Sequence, residues 1–241
     1  MVLALLAGWL IGMQDEAKAV LQQSLALYGR TQSYQDAGEV ASVVHTESET
    51  SVQAVRRVRT VFVRPDHVRF ECHEIDLATK VDEYFVVWKG KTKSHAWWSR
   101  IANGTHHDQP LEALKEVSAL SGGASDLLYP LLVPDAARSV KAWSLADLAA
   151  PKLAGFEEVD KMRCRVLVGR GFEGSEITVW IDARTHAIRR FREIVTQGHL
   201  ASIDTITVQP EFDKPLTPED AWFGPPIVKP PPGDTGGGGH R

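Results

Sequence analysis

Two hydrophobic periods divide this chain. Between Asp15 and Tyr28, apolar residues recur at every third and fourth position, and this spacing predicts an amphipathic helix that stops at Gly29. A polar stretch, 33–38, is predicted to be a turn. The pattern then changes to period two, which predicts five strands rich in Val, Phe, Tyr and Trp over 39–48, 52–63, 67–75, 81–88 and 94–101.

Two short apolar segments interrupt the strands. Segments 110–120 and 125–133 are predicted to be helical or irregular, with a hinge at Gly122-Gly123, and to lie across a sheet as a lid. Period two then resumes over 153–159, 161–168, 175–181, 187–196 and 202–210. Within the first set of five strands, no link is long enough for a crossover helix, so antiparallel pairing is predicted and a doubly wound nucleotide-binding sheet is excluded. We therefore predict an α+β, mostly β domain built on a single antiparallel, strongly curved sheet of about ten or eleven strands, around which helices pack.

The two ends differ in composition from the part between them. The run MVLALLAGWLIG over 1–12 is apolar and uncharged but too short to span a bilayer as a helix, which favours a signal peptide over 1–14 and export. The alternative is a buried first turn of the helix that follows. Residues 225–241 hold five Pro and five Gly and are predicted to form a disordered tail. The folded domain is expected to span 15–224.

Charge and cysteine content narrow the classes of function. The chain has 27 Lys and Arg against 31 Asp and Glu, a formal net charge of −4, so it lacks the positive excess that drives nucleic-acid binding. Two cysteines are too few for a disulfide scaffold or a four-thiolate zinc site. Cys72 and Cys164 lie in predicted strands, and the sequence leaves open whether they form a disulfide or remain separate buried thiols.

Candidate catalytic chemistry is confined to one loop. His106, His107 and Asp108 form the densest cluster of potential metal ligands or general bases. Neighbouring residues of a strand point to opposite faces, so the two histidines are not expected to converge on one ligand. No nucleophile-elbow, P-loop, dinucleotide-binding, zinc-protease or paired-cysteine motif occurs. We therefore predict a protein without catalytic residues, metal or cofactor, and a hydrolase built on the histidine loop is the least favoured alternative.

Apolar residues occupy both faces of several predicted strands. Tyr84, Val86 and Trp88 share one face of a strand, while Phe85 and Val87 share the other. A sheet that is apolar on both faces must cover both. Helices are expected to cover one face, while the other closes on itself or holds an apolar ligand.

Several stretches, in a fixed order, resemble one family. They are RPDHVRFE at 64–71, YFVVWKG at 84–90, GGASD at 122–126 and TVWIDAR at 178–184, and they are similar to the lipoprotein-localisation-factor-like (LolA/LolB-like) superfamily. That superfamily includes periplasmic lipoprotein carriers and many uncharacterised exported proteins. The resemblance covers residues 15–225 as a pattern, and none of its motifs is an active-site signature.

The resemblance implies an unclosed antiparallel half-barrel in the periplasm. Its concave apolar face, covered by a helical lid, would hold the acyl chains of a lipoprotein or another hydrophobic ligand without any catalytic group. An envelope protein is a further expected partner, whereas nucleic acid and integral membrane insertion are not expected. The alternative function is an envelope sensor or protein-interaction module that uses a sheet edge or the lid.

Strand parity selects the residues expected to line this cavity. A one-residue error in register would exchange each of them for its neighbour. They are Phe62, Phe70, Tyr84, Val86, Trp88, Val179 and Ile181.

Overall fold

A computed structural model of the protein describes residues 2–75, 82–100, 104–140 and 142–216. Within them, a long helix, α1 (Val2–Arg30), precedes the sheet. The strands are β1 (Ser33–His45), β2 (Thr50–Val63), β3 (His67–Ile75), β4 (Asp82–Lys89), β5 (Ser94–Trp98), β6 (Thr105–His107), β7 (Ala149–Val159), β8 (Met162–Arg170), β9 (Glu176–Asp182), β10 (Ile188–Gln197), β11 (Leu200–Val208) and β12 (Glu211–Phe212). Between β6 and β7 lie α2 (Pro110–Glu116), α3 (Ala124–Leu127), α4 (Tyr129–Leu132) and α5 (Pro134–Ser139).

The strands form one antiparallel sheet in the order β6-β5-β4-β3-β2-β1-β11-β10-β9-β8-β7. β1 joins two meanders by pairing with β2 on one side and β11 on the other, and β12 extends the β11 side by pairing with the start of β1. β6 and β7 form the two edges and do not pair with each other within the described residues. The sheet is therefore an open half-barrel, which confirms the predicted fold class.

The helices cover the concave face of the sheet and fill it with apolar side chains. Leucines from α2 and α4 are at most 2% exposed and belong to the same core cluster as the inward residues of the sheet. Full burial of one such side chain stabilises the fold by about 1.5–3 kcal/mol. The leucines are Leu111, Leu114, Leu131 and Leu132.

Polar contacts tie the C-terminal end of α1 to the sheet. The guanidinium of Arg64 donates hydrogen bonds to the backbone carbonyls of Tyr28, Gly29 and Thr31. These contacts satisfy acceptors at and just beyond the helix end, where the carbonyls have no partner within the helix. The hydroxyl of Tyr28 accepts a hydrogen bond from the backbone N–H of Ile188 at 3.1 Å. The end of α1 is therefore fixed to β10 and to the β2–β3 turn.

A buried carboxylate lies close to this junction. Asp36 in β1 is 4% exposed; its Oδ2 accepts from the Tyr34 hydroxyl at 2.6 Å, and its Oδ1 accepts from the Thr60 N–H at 2.8 Å. Burial raises the pKa of Asp36 to about 6, and the two hydrogen bonds oppose this rise. The predicted turn over 33–38 is wrong, because these residues belong to β1 and the side chains of Tyr34 and Asp36 have hydrogen-bond partners inside the core.

The helix α1 extends beyond the predicted bounds at both ends. It runs from Val2 to Arg30, through most of the segment 1–14 that was predicted to be a signal peptide. The side chains of 1–14 and the whole of 217–241, including the predicted tail 225–241, lie outside the described residues, so the signal peptide, domain bounds and tail stay predictions. Of the helices in the described residues, none is long and apolar enough to cross a membrane.

Candidate functional site

Four of the seven predicted ligand contacts lie in the core beneath the helices. Phe62, Phe70, Val179 and Ile181 are each at most 1% exposed. The ring of Tyr129 in α4 packs against that of Phe62 edge-on, with 6.3 Å between the ring centroids. None of the four lines either of the two cavities described below. Their contact with a ligand stays a prediction that requires the helical layer to move away from the sheet.

The structure places the other three residues on the opposite, convex face. Phe85 and Val87 point into the core, because they lie opposite inward residues of β3 in the strand register. Tyr84 is 43% exposed and stacks on His73 across β3 and β4, while Val86 and Trp88 share its face. The parity predicted for β4 is therefore wrong by one residue.

The histidine loop is divided between the two faces of the sheet. Nδ1 of His106 forms a hydrogen bond with Nδ1 of His95 at 2.8 Å. Nε2 of His107 lies on the other face, 2.5 Å from Oε2 of Glu116 in α2. In the part of the chain that the structure describes, no group of three or more His, Cys, Asp or Glu side chains is arranged to hold a metal ion. The two neighbouring histidines do not converge.

The two cysteines are separate, buried thiols. Cys72 lies in the main core, whereas Cys164 belongs to a smaller cluster with Val159, Val166 and Trp180. Burial raises the pKa of Cys72 to about 12 and that of Cys164 to about 11. Of the two alternatives that the sequence left open, the structure has the free thiols.

A cavity of about 550 Å³ lies between α1 and the short helices. This volume is within the range of about 300–1,000 Å³ that is usual for small-molecule sites. We call it the apolar cavity, because most of its lining consists of hydrophobic side chains from α1, α4, α5, the segment before β7 and the turn after β8. The main contributors are Leu25, Pro130, Leu131, Ala137, Trp143 and Phe172.

Proline placement explains why the helical layer is broken beside this cavity. Pro130 and Pro134 lie in the first turns of α4 and α5, where a missing N–H costs no helical hydrogen bond. A proline also disfavours helical geometry in the residue before it. The stretch 124–139 therefore forms three short helices in place of one continuous helix, and the cavity lies between these helices and Leu25 of α1.

A second cavity, of about 340 Å³, adjoins the first. Ala142, Trp143 and Phe172 line both, so the two cavities are neighbours around the same three side chains. Phe191 of β10 is a further wall of the second cavity, and its ring centroid lies 6.5 Å from that of Trp143. We call this space the acidic cavity, because Asp126 also lines it together with a second carboxylate.

The second carboxylate is that of Glu193. Its Oε1 accepts a hydrogen bond from the hydroxyl of Ser175 at 2.6 Å, and Oδ1 of Asp126 accepts one from Ser118 at 2.8 Å. Burial raises the pKa of Asp126, and the negative charge of Glu193 adds to the rise; the Ser118 hydrogen bond and the positive charge of Lys115 oppose it. Counted over the residues that the structure describes, the lining of the acidic cavity thus has two acidic side chains and one basic side chain.

Trp143, which lines both cavities, also carries a hydrogen-bond donor without a partner. Its indole Nε1 is buried and has no acceptor among the described residues. Buried indole N–H groups usually have a partner, and leaving such a donor unpaired costs about 1–3 kcal/mol.

This site was not predicted from the sequence. Trp143 and Phe172 are isolated aromatic residues outside the strands, so neither belongs to a periodic pattern. The signal that was present is the pair Pro130 and Pro134, which predicts interrupted helices and therefore gaps between them.

No protein-family model and no curated protein sequence matches the chain. Similar solved structures include LprF from Mycobacterium bovis, which is 15% identical over 84% of this chain and 95% of that chain, with a TM-score of 0.45. They also include the MucA/MucB complex of Pseudomonas aeruginosa, with 13% identity over 87% of this chain and 61% of that chain and a TM-score of 0.43. A LolA superfamily protein from Nitrosomonas europaea is 9% identical over 83% of this chain and 94% of that chain, with a TM-score of 0.33.

Proposed function

We propose that this protein is a noncatalytic binder or carrier of a hydrophobic ligand, such as the acyl chains of a lipoprotein. The ligand occupies the apolar cavity between α1 and the short helices. The observation that carries the proposal is a space of about 550 Å³ with mainly hydrophobic walls beside a core that is otherwise filled by its own side chains.

The energetics of chain burial support binding at such a site. Each buried methylene contributes about 0.8 kcal/mol, so about ten methylenes contribute about 8 kcal/mol. Association itself costs roughly 4–15 kcal/mol of lost translational and rotational freedom. A single acyl chain therefore binds weakly to moderately.

The polar groups of the apolar cavity favour binding over catalysis. Arg138 forms an ion pair with Asp135. Asp147 accepts a hydrogen bond from the backbone N–H of Ser144 at 2.9 Å and completes a capping interaction there. General acid–base catalysis needs a positioned group within hydrogen-bond reach of the reacting atom. Arg138 and Asp147, the charged groups in the described part of this lining, are instead engaged in contacts with neighbouring protein groups.

The cellular setting that fits this role is the periplasm. The apolar run over 1–12 supports export, with 1–14 as the signal peptide, 15–224 as the binding domain and 225–241 as a tail.

The proposal is tested by measuring hexadecanoate binding to the full chain with native mass spectrometry and calorimetry. Ala142→Phe adds an aromatic ring to the wall that the two cavities share, and Val55→Phe adds the same ring at an exposed position of β2 as a matched control. We expect a one-to-one complex whose affinity falls at least tenfold in Ala142→Phe and is unchanged in Val55→Phe. Absence of a complex, or equal affinity in all three proteins, contradicts the proposal.

One observation favours a second function, protein interaction. β7 is an edge strand of eleven residues, and residues 154–158 near its end are exposed. An exposed edge can accept a strand from another protein. Phe156 on this edge is 52% exposed. Crosslinking in an envelope extract tests this function: a specific partner lost in Phe156→Lys but kept in Ala142→Phe supports it, and identical crosslinks in both variants contradict it.

A further inference from the structure

The acidic cavity combines the two kinds of group that bind organic cations. Trp143, Phe172 and Phe191 supply aromatic rings, and Asp126 and Glu193 supply carboxylates. The faces of aromatic rings attract ammonium groups, and quaternary ammonium ions in particular are bound by clustered rings. A carboxylate adds a direct charge interaction and retains free acceptor positions after one hydrogen bond from a hydroxyl. Asp126 and Glu193 each accept such a bond from a serine.

Among the described residues around this cavity, acidic side chains outnumber basic ones, which also favours a cation. Among the described residues of its lining, Lys115 is the one cation. Asp204 lies directly opposite Glu193 in the register of β10 and β11 and adds a further acid on this side. Arg56 is also nearby in the sheet, but its guanidinium pairs with Glu74 at 2.6 Å. A positively charged group is therefore favoured in the acidic cavity over a negatively charged one.

The apolar cavity beside it has room for a hydrocarbon chain attached to such a group. Both cavities border Ala142, Trp143 and Phe172. A single unbranched molecule that reaches both would place a hydrocarbon chain in one and a head group in the other. We propose that the ligand is an amphiphile with an ammonium head group, which lies among the rings and carboxylates of the acidic cavity while its chain fills the apolar cavity. This inference rests on the proposed function and specifies the chemical class of its ligand.

The test compares amphiphiles that share one chain and differ in head group. Dodecyltrimethylammonium, dodecanoate and dodecanol are titrated into the full chain by calorimetry, below the concentrations at which they form micelles. We expect the wild-type protein to bind the ammonium probe about tenfold more tightly than dodecanoate, which corresponds to about 1.4 kcal/mol. Dodecanol is expected to bind with an affinity between the two.

Two double variants assign the preference to this cavity. Asp126→Asn with Glu193→Gln removes the two negative charges, and Glu47→Gln with Glu49→Gln removes the same charge from the exposed turn between β1 and β2. We expect the first double variant to bind the ammonium and carboxylate probes within about twofold of each other, and the second to keep the wild-type ratio.

The outcomes separate this inference from the proposed function. If dodecanoate binds wild-type protein as tightly as the ammonium probe, or if the preference survives in Asp126→Asn with Glu193→Gln, the head-group assignment is wrong while hydrophobic binding stands. If none of the three probes binds, the proposed function itself fails. The wild-type ranking needs no variant, so it tests the inference even if the double variant does not fold.

Discussion

The buried carboxylate of Asp36 makes the stability of this fold depend on pH. Burial raises its pKa from 3.8 to about 6, and in the unfolded chain the pKa returns to about 3.9. The folded state has the higher pKa, so the stability from this group is fully present below the unfolded pKa and is lost as pH rises through about 6. One pKa unit corresponds to about 1.4 kcal/mol, so the whole shift amounts to about 3 kcal/mol. About 2 kcal/mol of this falls between about pH 4.5 and pH 7.5.

The perturbation that isolates this effect is Asp36→Asn, which keeps the size of the side chain and removes its charge. We expect the free energy of unfolding of the wild type, minus that of Asp36→Asn, to fall by about 2 kcal/mol between about pH 4.5 and pH 7.5, as measured by urea titration with circular dichroism. Tyr34→Phe removes a hydrogen bond that lowers the pKa of Asp36, so it should move the loss of stability to higher pH. A difference that stays constant with pH, or that grows as pH rises, refutes this reasoning.

Three further predictions concern single sites. Gly122 has φ +59°, and a Cβ added there would lie 2.8 Å from Cγ1 of Val40, whereas Gly123 has φ +78° and an added Cβ would have nothing within 4 Å. Both alanine variants should lower the free energy of unfolding by about 1–2 kcal/mol through backbone strain, with the larger loss in Gly122→Ala. Equal unfolding midpoints of the two variants would contradict the steric difference. Phe62→Ala should cost about 3–5 kcal/mol because the side chain is fully buried, whereas Phe156→Ala, at an exposed edge, should cost less than about 1 kcal/mol; similar losses in chemical unfolding would argue against the core as described. Cys72 and Cys164 should react with a thiol reagent at pH 8 only on unfolding, since burial shields both and raises their pKa values, and fast reaction of the native protein would show that they are accessible.

The sheet was predictable because its connections are short. Links such as Pro65-Asp66 and Lys89-Gly90 leave no room for a crossover helix, so the antiparallel pairing of the strands that they join followed from the length of the links alone. The helical insertion between the two sets of strands was predictable for a different reason, because the hydrophobic pattern changes there from period two to continuous apolar runs. The three-residue strand β6 was not predicted, because so short a segment carries too few alternations to read.

Residues that face the core were harder to assign where both faces of a strand are apolar. In β4, Phe85 and Val87 alternate with Tyr84, Val86 and Trp88, so period two gives the alternation but not the direction. The direction depends on pairing with β3, which the sequence does not specify. Asp36 shows the opposite problem, because polar residues at the start of β1 resemble a turn until their partners in β2 and the core are known.

The candidate site was not predictable because it consists of cavities, which form where side chains leave the space between elements unfilled. Trp143 and Phe172 are far apart in sequence and lie outside the strands, so their proximity depends on how the segment after α5 and the turn after β8 meet beside β10. The sequence did predict a helical lid and an apolar guest. The predicted cavity was in the middle of the concave face, but the four inward residues of the predicted set are packed there. The open space lies instead in the gap beside α1.

The position of the bound ligand is measured most directly by photocrosslinking with a fatty acid that carries a diazirine near the end of its chain. After irradiation of the full chain, mass spectrometry identifies the modified residues. Labels on Leu25, Ala137 and Trp143 are the expected result, because these side chains line the apolar cavity. Labels confined to the convex residues Tyr84 and Trp88, or no label above that of the unfolded protein, would contradict a carrier with its cavity beside α1.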